Sequence, residues 1–584
     1  MRKESKKCIR SIFLAVLTAM LFVSCGGGGG GGMVSFQNNS GFHNGGDAGG
    51  WGNGHQTSNN GLNGGSINGS LSTKAGTFTP PNDINWERID LTITITSGGT
   101  TTTHTLANTE TEAIAELLTS LKRGDVVEVT ADITMVDDDP RTTSSGAVTI
   151  GVGDNHISLP TPYKFECSME MTRNMYEDYG CSDTPADASV SGSQTGIYTV
   201  NNASSVIPPD ASGTGFIFDH WETVPDGQVY VPGSSRGDVV ISPVFKPDYS
   251  VAYTDLVDTI VITEQSEFNT LMSTHAAQNF SGKEIKLYCN VSTSTGFTNT
   301  TDGFQGTFNG NNKTVNVNLT NNDENGLGFC YKLASGATIQ NLTITGSLVY
   351  SGSDSISTDS VANAGAFAAY NQGSIEHCKN MANVTTTNSD CNHVGGIVGF
   401  GDGAGSLTGC SNYGTIDNAG NYAGGIIGCI SGNFSIYQCF NKGSVTAHKS
   451  SGLEQHVGGI VGTDSSAGRI EHCYNTGNVI ITANSNSDAG GIVGLTNDGT
   501  ISSCFNYGTA NIQTSFGGGS CKQIASAVYG TTITDVYCTV PTNAGSSLTS
   551  GTMTDAINML PVTEPLIWEL RSGASYPTLI NNPE

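Results

Sequence analysis

Charge is scarce in this chain, and basic charge is scarcest. Only 13% of its 584 residues are Asp, Glu, Lys or Arg, and 24 Lys and Arg face 51 acids, for a formal net charge of -27. A protein that grips phosphates does so with Lys and Arg, so the shortage argues against nucleic acid as a partner. Long apolar runs are missing too. The run Ile12 to Val23 is shorter than the about 20 residues a membrane-spanning helix needs, and no later segment could span a bilayer. Catalytic signatures are equally thin: neither His-Glu-x-x-His nor Cys-x-x-Cys occurs.

Repetition is what the chain has in abundance. Four near-copies read His393-Val-Gly-Gly-Ile-Val-Gly399, Tyr422-Ala-Gly-Gly-Ile-Ile-Gly428, His456-Val-Gly-Gly-Ile-Val-Gly462 and Asp488-Ala-Gly-Gly-Ile-Val-Gly494. A degenerate copy, Asn363-Ala-Gly-Ala-Phe-Ala-Ala369, precedes them. A Cys-x-Asn step follows each: Cys378/Asn380, Cys410/Asn412, Cys439/Asn441, Cys473/Asn475 and Cys504/Asn506. The cysteines lie 32, 29, 34 and 31 residues apart, and Cys538 follows 34 further on. Such a period marks a stack whose units cannot bury their apolar faces alone. Each period offers three short strands, in the fourth copy Gly459 to Gly462, Arg469 to Cys473 and Asn478 to Ile481, so the expectation is a parallel β-helix. Ile470 and Cys473 both read as core residues yet fall on opposite faces of a regular strand, which calls for a bend between them.

The columns have structural readings. Cys378, Cys410, Cys439, Cys473, Cys504 and Cys538 are expected as one inward column about 4.8 Å apart, packed as small hydrophobes and unable to pair because parallel strands aim their Cβ vectors alike. Asn380, Asn412, Asn441, Asn475 and Asn506 are expected as a hydrogen-bonded ladder at a turn. Gly396, Gly425, Gly459 and Gly491 sit where the chain turns tightly or meets a neighbouring coil. Outside the repeats, Cys167 and Cys181, with 13 residues between them, are the expected disulfide.

The N-terminus reads as a processing signal. Arg2, Lys3, Lys6, Lys7 and Arg10 precede the apolar run, which ends at Phe22-Val-Ser-Cys25. This ending resembles a bacterial lipobox, which implies cleavage before Cys25 and acylation of that cysteine, a lipid anchor as the only membrane contact. Gly26 to Gly32 and an Asn/Gly/Ser stretch to Gly76 have almost nothing to bury and read as a disordered tether. The expected domains are thus a signal peptide at 1–24, lipidated cysteine and tether at 25–76, a small β-rich domain at 77–160, a β module at 161–248 and the β-helix with its caps at 253–582.

In the β-rich domain, Ile89 to Ile95 and Val127 to Ile133 alternate with period two, and Glu110 to Leu121 has a helical pattern. Asp137-Asp-Asp139 could ligate Ca²⁺, but adjacent carboxylates on a strand point apart, which favours a solvated hairpin tip. In the next unit Gly215-Phe-Ile-Phe-Asp-His-Trp221, Tyr230-Val-Pro-Gly233 and Gly237 to Lys246 resemble the divergent internalin-type B repeat, a β-grasp-like module. The resemblance implies that Trp221 is a core aromatic and that the setting is extracellular.

From Tyr253 a helix capped by Ser266 is expected at Ser266 to Met272, then the strand Glu284 to Cys289. This opening, the Gly-Gly-Ile-Val-Gly and Cys-x-Asn copies, and a closing Trp568-Glu-Leu and Tyr576-Pro-Thr-Leu579 resemble proteins carrying GLUG repeats. Members of that family are bacterial surface proteins, some adhesin-like and some proteases, in which the repeats are not the catalytic part. The helix near Phe268 and the segment Met553 to Leu560 with Trp568 are the expected caps.

β-Helices often cleave polysaccharides, so carboxylate pairs matter. Between Gly365 and Cys538 the acids are scattered over different coil positions, and Arg469 is the one arginine. His377 and His472 fall three coils apart and His393 and His456 two, too far to share one metal. No catalytic residue, metal ligand or cofactor is assigned. The sequence reads as an all-β, lipid-anchored surface protein of the bacterial outer membrane that binds host or environmental glycans or proteins without chemistry. The alternatives are a carbohydrate-active enzyme and a structural envelope protein. Function is expected in the loops between copies, such as Thr387 to Asn392 and His448 to Gln455.

Overall fold

The computed structural model describes residues 69–582, apart from 82–83, 137, 199–209, 232–236, 322–325, 353–361, 388–390, 449–453, 483–486, 514–519, 539–566, 570 and 572–575. Cys25, the signal segment and the Met553 to Leu560 cap lie outside the described residues. Among those described, no helix is long and apolar enough to cross a membrane.

The first domain begins earlier than residue 77. The strand Gly69–Ser72 pairs with Thr77–Thr79 and His156–Leu159, and Leu71 is fully buried. A single buried leucine at the end of a polar tract was too little pattern to mark a strand. A four-stranded antiparallel sheet, in the order Thr100–Ala107, Trp86–Ser97, Val126–Met135, Arg141–Thr149, supplies the other layer. The expected period-two strands bury Ile89, Leu91, Ile93, Val127 and Val129, and the helix Thr111–Ser120 adds Ile114 and Leu118 to the same core.

The second module is a mixed sheet in the order Thr195–Tyr198, Tyr163–Cys167, Val239–Pro247, Phe216–Val224, with the two central strands parallel. Trp221 is buried in its core beside Phe218. Cys167 and Cys181 are not bridged; both are free, buried thiols. They serve different cores, Cys167 the module's own and Cys181 the one continuous with the solenoid, so their sequence spacing does not bring them together.

Buried charge joins these units. The Arg141 side chain, about 1% exposed, reaches Asp138 and Asp238 at 2.5 Å each and donates to the Pro162 carbonyl at 3.0 Å. Burial opposes ionisation of Asp138, but hydrogen bonds from Arg141 and Lys164 hold its carboxyl down at about 2. Part of the acidic Asp137-Asp-Asp139 run is therefore matched to protein cations. Further along, Tyr176 donates to buried Glu267, which also takes Lys246 at 2.8 Å, and Tyr249 donates to the Val261 carbonyl at 2.6 Å.

The solenoid is a parallel β-helix of about six turns. Each full coil has five short strands; in the fourth they are Gln455–Gly458, Val461–Asp464, Arg469–Glu471, Tyr474–Asn475 and Val479–Ile481. The last three form one long sheet, and the first two form a second and third sheet on either side of the Gly-Gly step. In-register pairing builds interior rows such as Ile375, Leu407, Ile436, Ile470 and Ile501, all fully buried. The bend required between Ile470 and Cys473 falls at His472, whose φ is 53°. His377, Gln438 and Ser503 take the same left-handed conformation at 51°, 53° and 49°, and Gly409 does so at 62°. One residue of reversed φ per coil lets both the isoleucine and the cysteine face inward.

The cysteine column is inward and buried from Cys378 to Cys504. Cys538 does not continue it: Phe505 pairs with Tyr537 and Asn506 with Cys538, so Val536 follows Cys504 and Cys538 stands in the asparagine row. A buried position that accepts cysteine as a small hydrophobe accepts valine equally, and residue identity alone shifted the reading by two. The thiols point at carbonyls, Cys378 to Glu376 at 3.2 Å, Cys439 to Tyr437 at 3.4 Å and Cys473 to Glu471 at 3.2 Å. Burial pushes all three well up, which keeps them protonated and unreactive.

The asparagine ladder is complete and dry. Nδ2 of Asn380, Asn412, Asn441 and Asn475 donates to Oδ1 of the next asparagine at 2.7, 2.8, 2.9 and 3.0 Å, and Asn506 donates to Gln523 at 3.1 Å. The first four also bond, through both amide ends, to the backbone two residues on. The paired glycines serve this ladder by close approach, not by special φ. A Cβ on Gly425 would lie 2.3 Å from Asn441 Cγ and 2.1 Å from the Gly459 carbonyl; on Gly396, Gly459 and Gly491 it would meet Asn412, Asn475 and Asn506 as closely. The third glycine of the motif separates two sheets, since a Cβ on Gly428 would stand 2.4 Å from the Val394 nitrogen.

The N-terminal end is covered by the helix Gln265–His275, whose Phe268 and Leu271 are fully buried. Its N-cap is Glu264, in a reciprocal capping box with Glu267, and not Ser266. Glu267 is already held by Tyr176 and Lys246, and this fixes the helix start two residues earlier than the serine suggests. Trp568 lies on a side face, not across an end. With Tyr576 and Leu579 it packs on the outward row Phe440, Tyr474 and Phe505, and Asn582 donates to the Cys410 and Gln438 carbonyls at 3.1 and 3.0 Å.

Two substitutions test this account. Asn441→Ala strands a donor on Asn412 and an acceptor on Asn475 in a dry interior, and should cost about 3 kcal/mol or more in equilibrium denaturation. Gly425→Ala should cost at least as much, because its clashes are with backbone and a fixed ladder. Losses under about 1 kcal/mol for both would refute the ladder as the organising contact.

Candidate functional site

The groups with chemical potential outside the ladder lie in two outward rows flanking the Gly-Gly step. One row runs Asn363, His393, Tyr422, His456, Asp488 along the third sheet. The other runs Tyr370, Phe400, Cys429, Thr463, Leu495 along the second. In-register stacking puts like positions about 4.8 Å apart, and rings at such positions stack face to face. His393 lies over Tyr422 at 5.3 Å and 16°, and Tyr422 over His456 at 5.4 Å and 9°. Tyr370 stacks on Phe400 at 5.4 Å and 29°, and His393 meets Phe400 at 5.0 Å.

Two consequences follow. The faces of these rings are taken by each other, so the inner rings have no face to offer a sugar ring. His393 is also held from acid–base work: burial pushes it down to about 3, and its Nδ1 lies 2.6 Å from Asn363 Oδ1. Tyr422 stands between His393 and His456, so the two histidines are separated as their two-coil spacing requires and cannot share a metal.

The acids are dispersed. Asp402 accepts from the Tyr370 hydroxyl at 2.6 Å, Asp488 lies 3.2 Å from His456, and Asp417 lies 3.1 Å from His448. Asp464 is fully buried at a turn, accepting from Thr496 at 3.0 Å and from the Ser466 and Gly468 nitrogens, and burial raises its pKa. No two carboxylates among these flank a common space. Among the described residues no group of three or more His, Cys, Asp or Glu is placed to hold a metal ion. The loops singled out in the sequence fall largely at 388–390 and 449–453, outside the described residues.

Concave surface occurs away from the repeats. A cavity of about 410 Å³ in the second module is lined by Arg173, Glu177 and Glu222. Two adjoining clefts of about 800 and 240 Å³ lie beside the N-terminal cap of the solenoid and share Ser294, Thr295 and Thr298. Nothing in the sequence pattern marked them, because their walls come from strands and turns of different coils.

The buried histidine gives a pH test. His393 stays neutral in the fold down to about 3, whereas an unfolded histidine binds a proton below about 6.5. The unfolded state therefore gains protons first, and stability falls as pH drops from about 6.5 towards 3. Melting curves over that range should show a shallower decline for His393→Phe than for the native chain. An identical pH profile for the two would refute the burial of a neutral His393.

No protein-family model matches the chain, and no curated protein matches it in sequence. Among solved structures, the chain is similar to one from Bacteroides ovatus described as a "putative immunoglobulin A1 protease", at 15% identity and a TM-score of 0.28, over 57% of this chain and 95% of that one.

Proposed function

We propose that the chain is a lipid-anchored protein of the bacterial outer-membrane surface that binds glycans or proteins of a host or neighbour without covalent chemistry. The observation that carries this reading is the internal use of the repeat's reactive groups. Thiols are engaged by carbonyls, asparagines by one another and rings by rings. What the stack presents outward is fixed in position by in-register pairing. The proposal extends to origin: the lipobox-like Phe22-Val-Ser-Cys25, the Gly/Asn-rich tether, the internalin-type B-like module and the GLUG-like repeats all fit an exported surface protein.

Two measurements test the reading. Cys25→Ala should move the protein from the membrane fraction to the soluble one, and protease added to intact cells should remove the native protein. In binding assays the full chain in detergent should retain glycan or matrix-protein ligands unchanged. New reducing ends, unsaturated uronates or peptide fragments released from those ligands would overturn the non-catalytic reading.

A further inference from the structure

We infer that the two adjoining clefts at the N-terminal cap are a binding site for an uncharged, hydroxyl-rich ligand, a segment of neutral glycan. This rests on the surface-binding reading above and deepens it by naming the site and the ligand class. The larger cleft is floored by the helix Gln265–His275 on one side and by the strands Val291–Thr293 and Thr307–Asn321 on the other. Its volume, about 800 Å³, is in the range of sites that hold small ligands, roughly 300–1,000 Å³.

The chemistry of the walls is one-sided. Among the described residues, none that lines either cleft is charged, in a chain of net charge -27. Among these residues an anionic ligand would find no cation, and a cationic one no carboxylate. What the larger cleft does offer is oriented amide. Gln265 donates to Asn269 Oδ1 at 2.7 Å and to the Ser292 carbonyl at 2.9 Å, and accepts from the Ser292 nitrogen at 2.7 Å. Thr345 donates to Asn316 Oδ1 at 3.2 Å, and Ser347 to Asn318 Oδ1 at 3.4 Å.

In all three asparagines the oxygen is engaged, and among the described residues the NH₂ group has no protein acceptor. Three amide donors thus stand ready on one cleft, whose lining also carries Ser294 and Thr298. Asn316 and Asn318 are two residues apart on one strand, so both side chains leave the same face with a spacing of roughly 7 Å. Their oxygens are fixed by the next coil, so the donors are held in place before any ligand arrives, which lowers the ordering cost of binding. The second cleft carries the path on to Tyr331 and Leu327, where the half-buried ring gives the less polar face of a sugar something to rest against. A row of neutral donors closed by an aromatic ring suits a neutral oligosaccharide. A peptide would bring charges or large apolar groups that the larger cleft has no means to match.

The test uses the full chain in detergent, titrated calorimetrically with neutral polysaccharides (glucan, mannan, galactan) and acidic ones (pectate, alginate, hyaluronan). Two variants accompany it. The double change Asn316→Asp and Asn318→Asp keeps the accepting oxygens but turns the donors into carboxylates. Thr295→Trp fills the shared wall of the two clefts. Unchanged circular dichroism and melting would show that both fold. The expected result is binding of at least one neutral polysaccharide, weakened tenfold or more in both variants. Neutral-glycan binding at native strength in both folded variants would overturn the cleft assignment and leave the surface-binding reading standing. Binding of acidic polysaccharides alone, or of extracellular-matrix peptides displaced by neither variant, would overturn the ligand class. If no glycan of either kind binds the native chain, the inference falls, and the broader reading then rests on protein ligands alone.

Discussion

The solenoid depends on one contact repeated down its length: an asparagine amide that must bond both to its own turn and to the asparagine of the next coil. An amide in a dry interior is destabilising unless every donor and acceptor is used. Here the backbone takes one donor, the next rung takes the other, and the oxygen accepts twice. That geometry exists only if coils stack in register, so the ladder ties the register of each coil to that of its neighbour. It also leaves no room across the interior. The second glycine of each Gly-Gly step lies where any side chain would strike the asparagine of its own coil and the backbone of the next. Glycine and asparagine, separated by about half a coil in sequence, are thus two halves of a single steric requirement.

That requirement explains how the chain can be rich in functional-looking groups and poor in reactive ones. A histidine in a stacked solenoid lies near its counterparts one coil away, and the stack converts it into a rung. Burial then removes its charge, as at His393, or a kink uses its backbone, as at His472. Cys378, Cys439 and Cys473 meet the same end, held as protonated hydrophobes against carbonyls. Chemistry needs unlike groups converging on one point, whereas translation along an axis brings like groups together in rows. Binding needs less. Neutral donors at fixed spacing suffice, and the alternation of one strand places Asn316 and Asn318 so, while Thr345 and Ser347 of the next coil hold their oxygens.

The features of the fold that recur were legible in the sequence, and those that occur once were not. The period announced the parallel stack, and the clash between Ile470 and Cys473 announced the kink that His472 supplies. The Asn ladder followed from the Cys-x-Asn spacing. Cys538 misled because identity was read in place of register: the pairing of Asn506 with Cys538 moves the residue out of the column, and valine fills the vacated place at no cost. Ser266 misled for a different reason. Local capping preference favours serine over glutamate, but Glu267 is tied down by Tyr176 and Lys246 from another module, and that tertiary tie decides where the helix begins. Cys167 and Cys181 were close in sequence and belong to different cores. The clefts at the cap had no sequence signature at all, since their asparagines come from a helix and a strand whose proximity is a product of the stack.

The same tertiary ties bear on how the protein would meet a ligand. The two small units ahead of the solenoid are not loosely strung modules. Arg141 is buried and shared by Asp138 and Asp238 of successive units, both of them partly exposed, so one guanidinium ties the two units together. Glu267, shared by Tyr176, Lys246 and the cap of the helix Gln265–His275, locks the second unit to the solenoid. The helix that forms one wall of the cap cleft is therefore braced from behind by the module preceding it. Its Asn269 is held by Gln265, which is itself tied to the backbone of Ser292. A ligand entering the cleft meets walls fixed on one side by in-register strands and on the other by a helix whose Glu267 is held by Tyr176 and Lys246. Selectivity in such a site comes from the spacing of groups already in position, not from closure around the ligand, and the two-residue repeat of the strand sets the distance between Asn316 and Asn318.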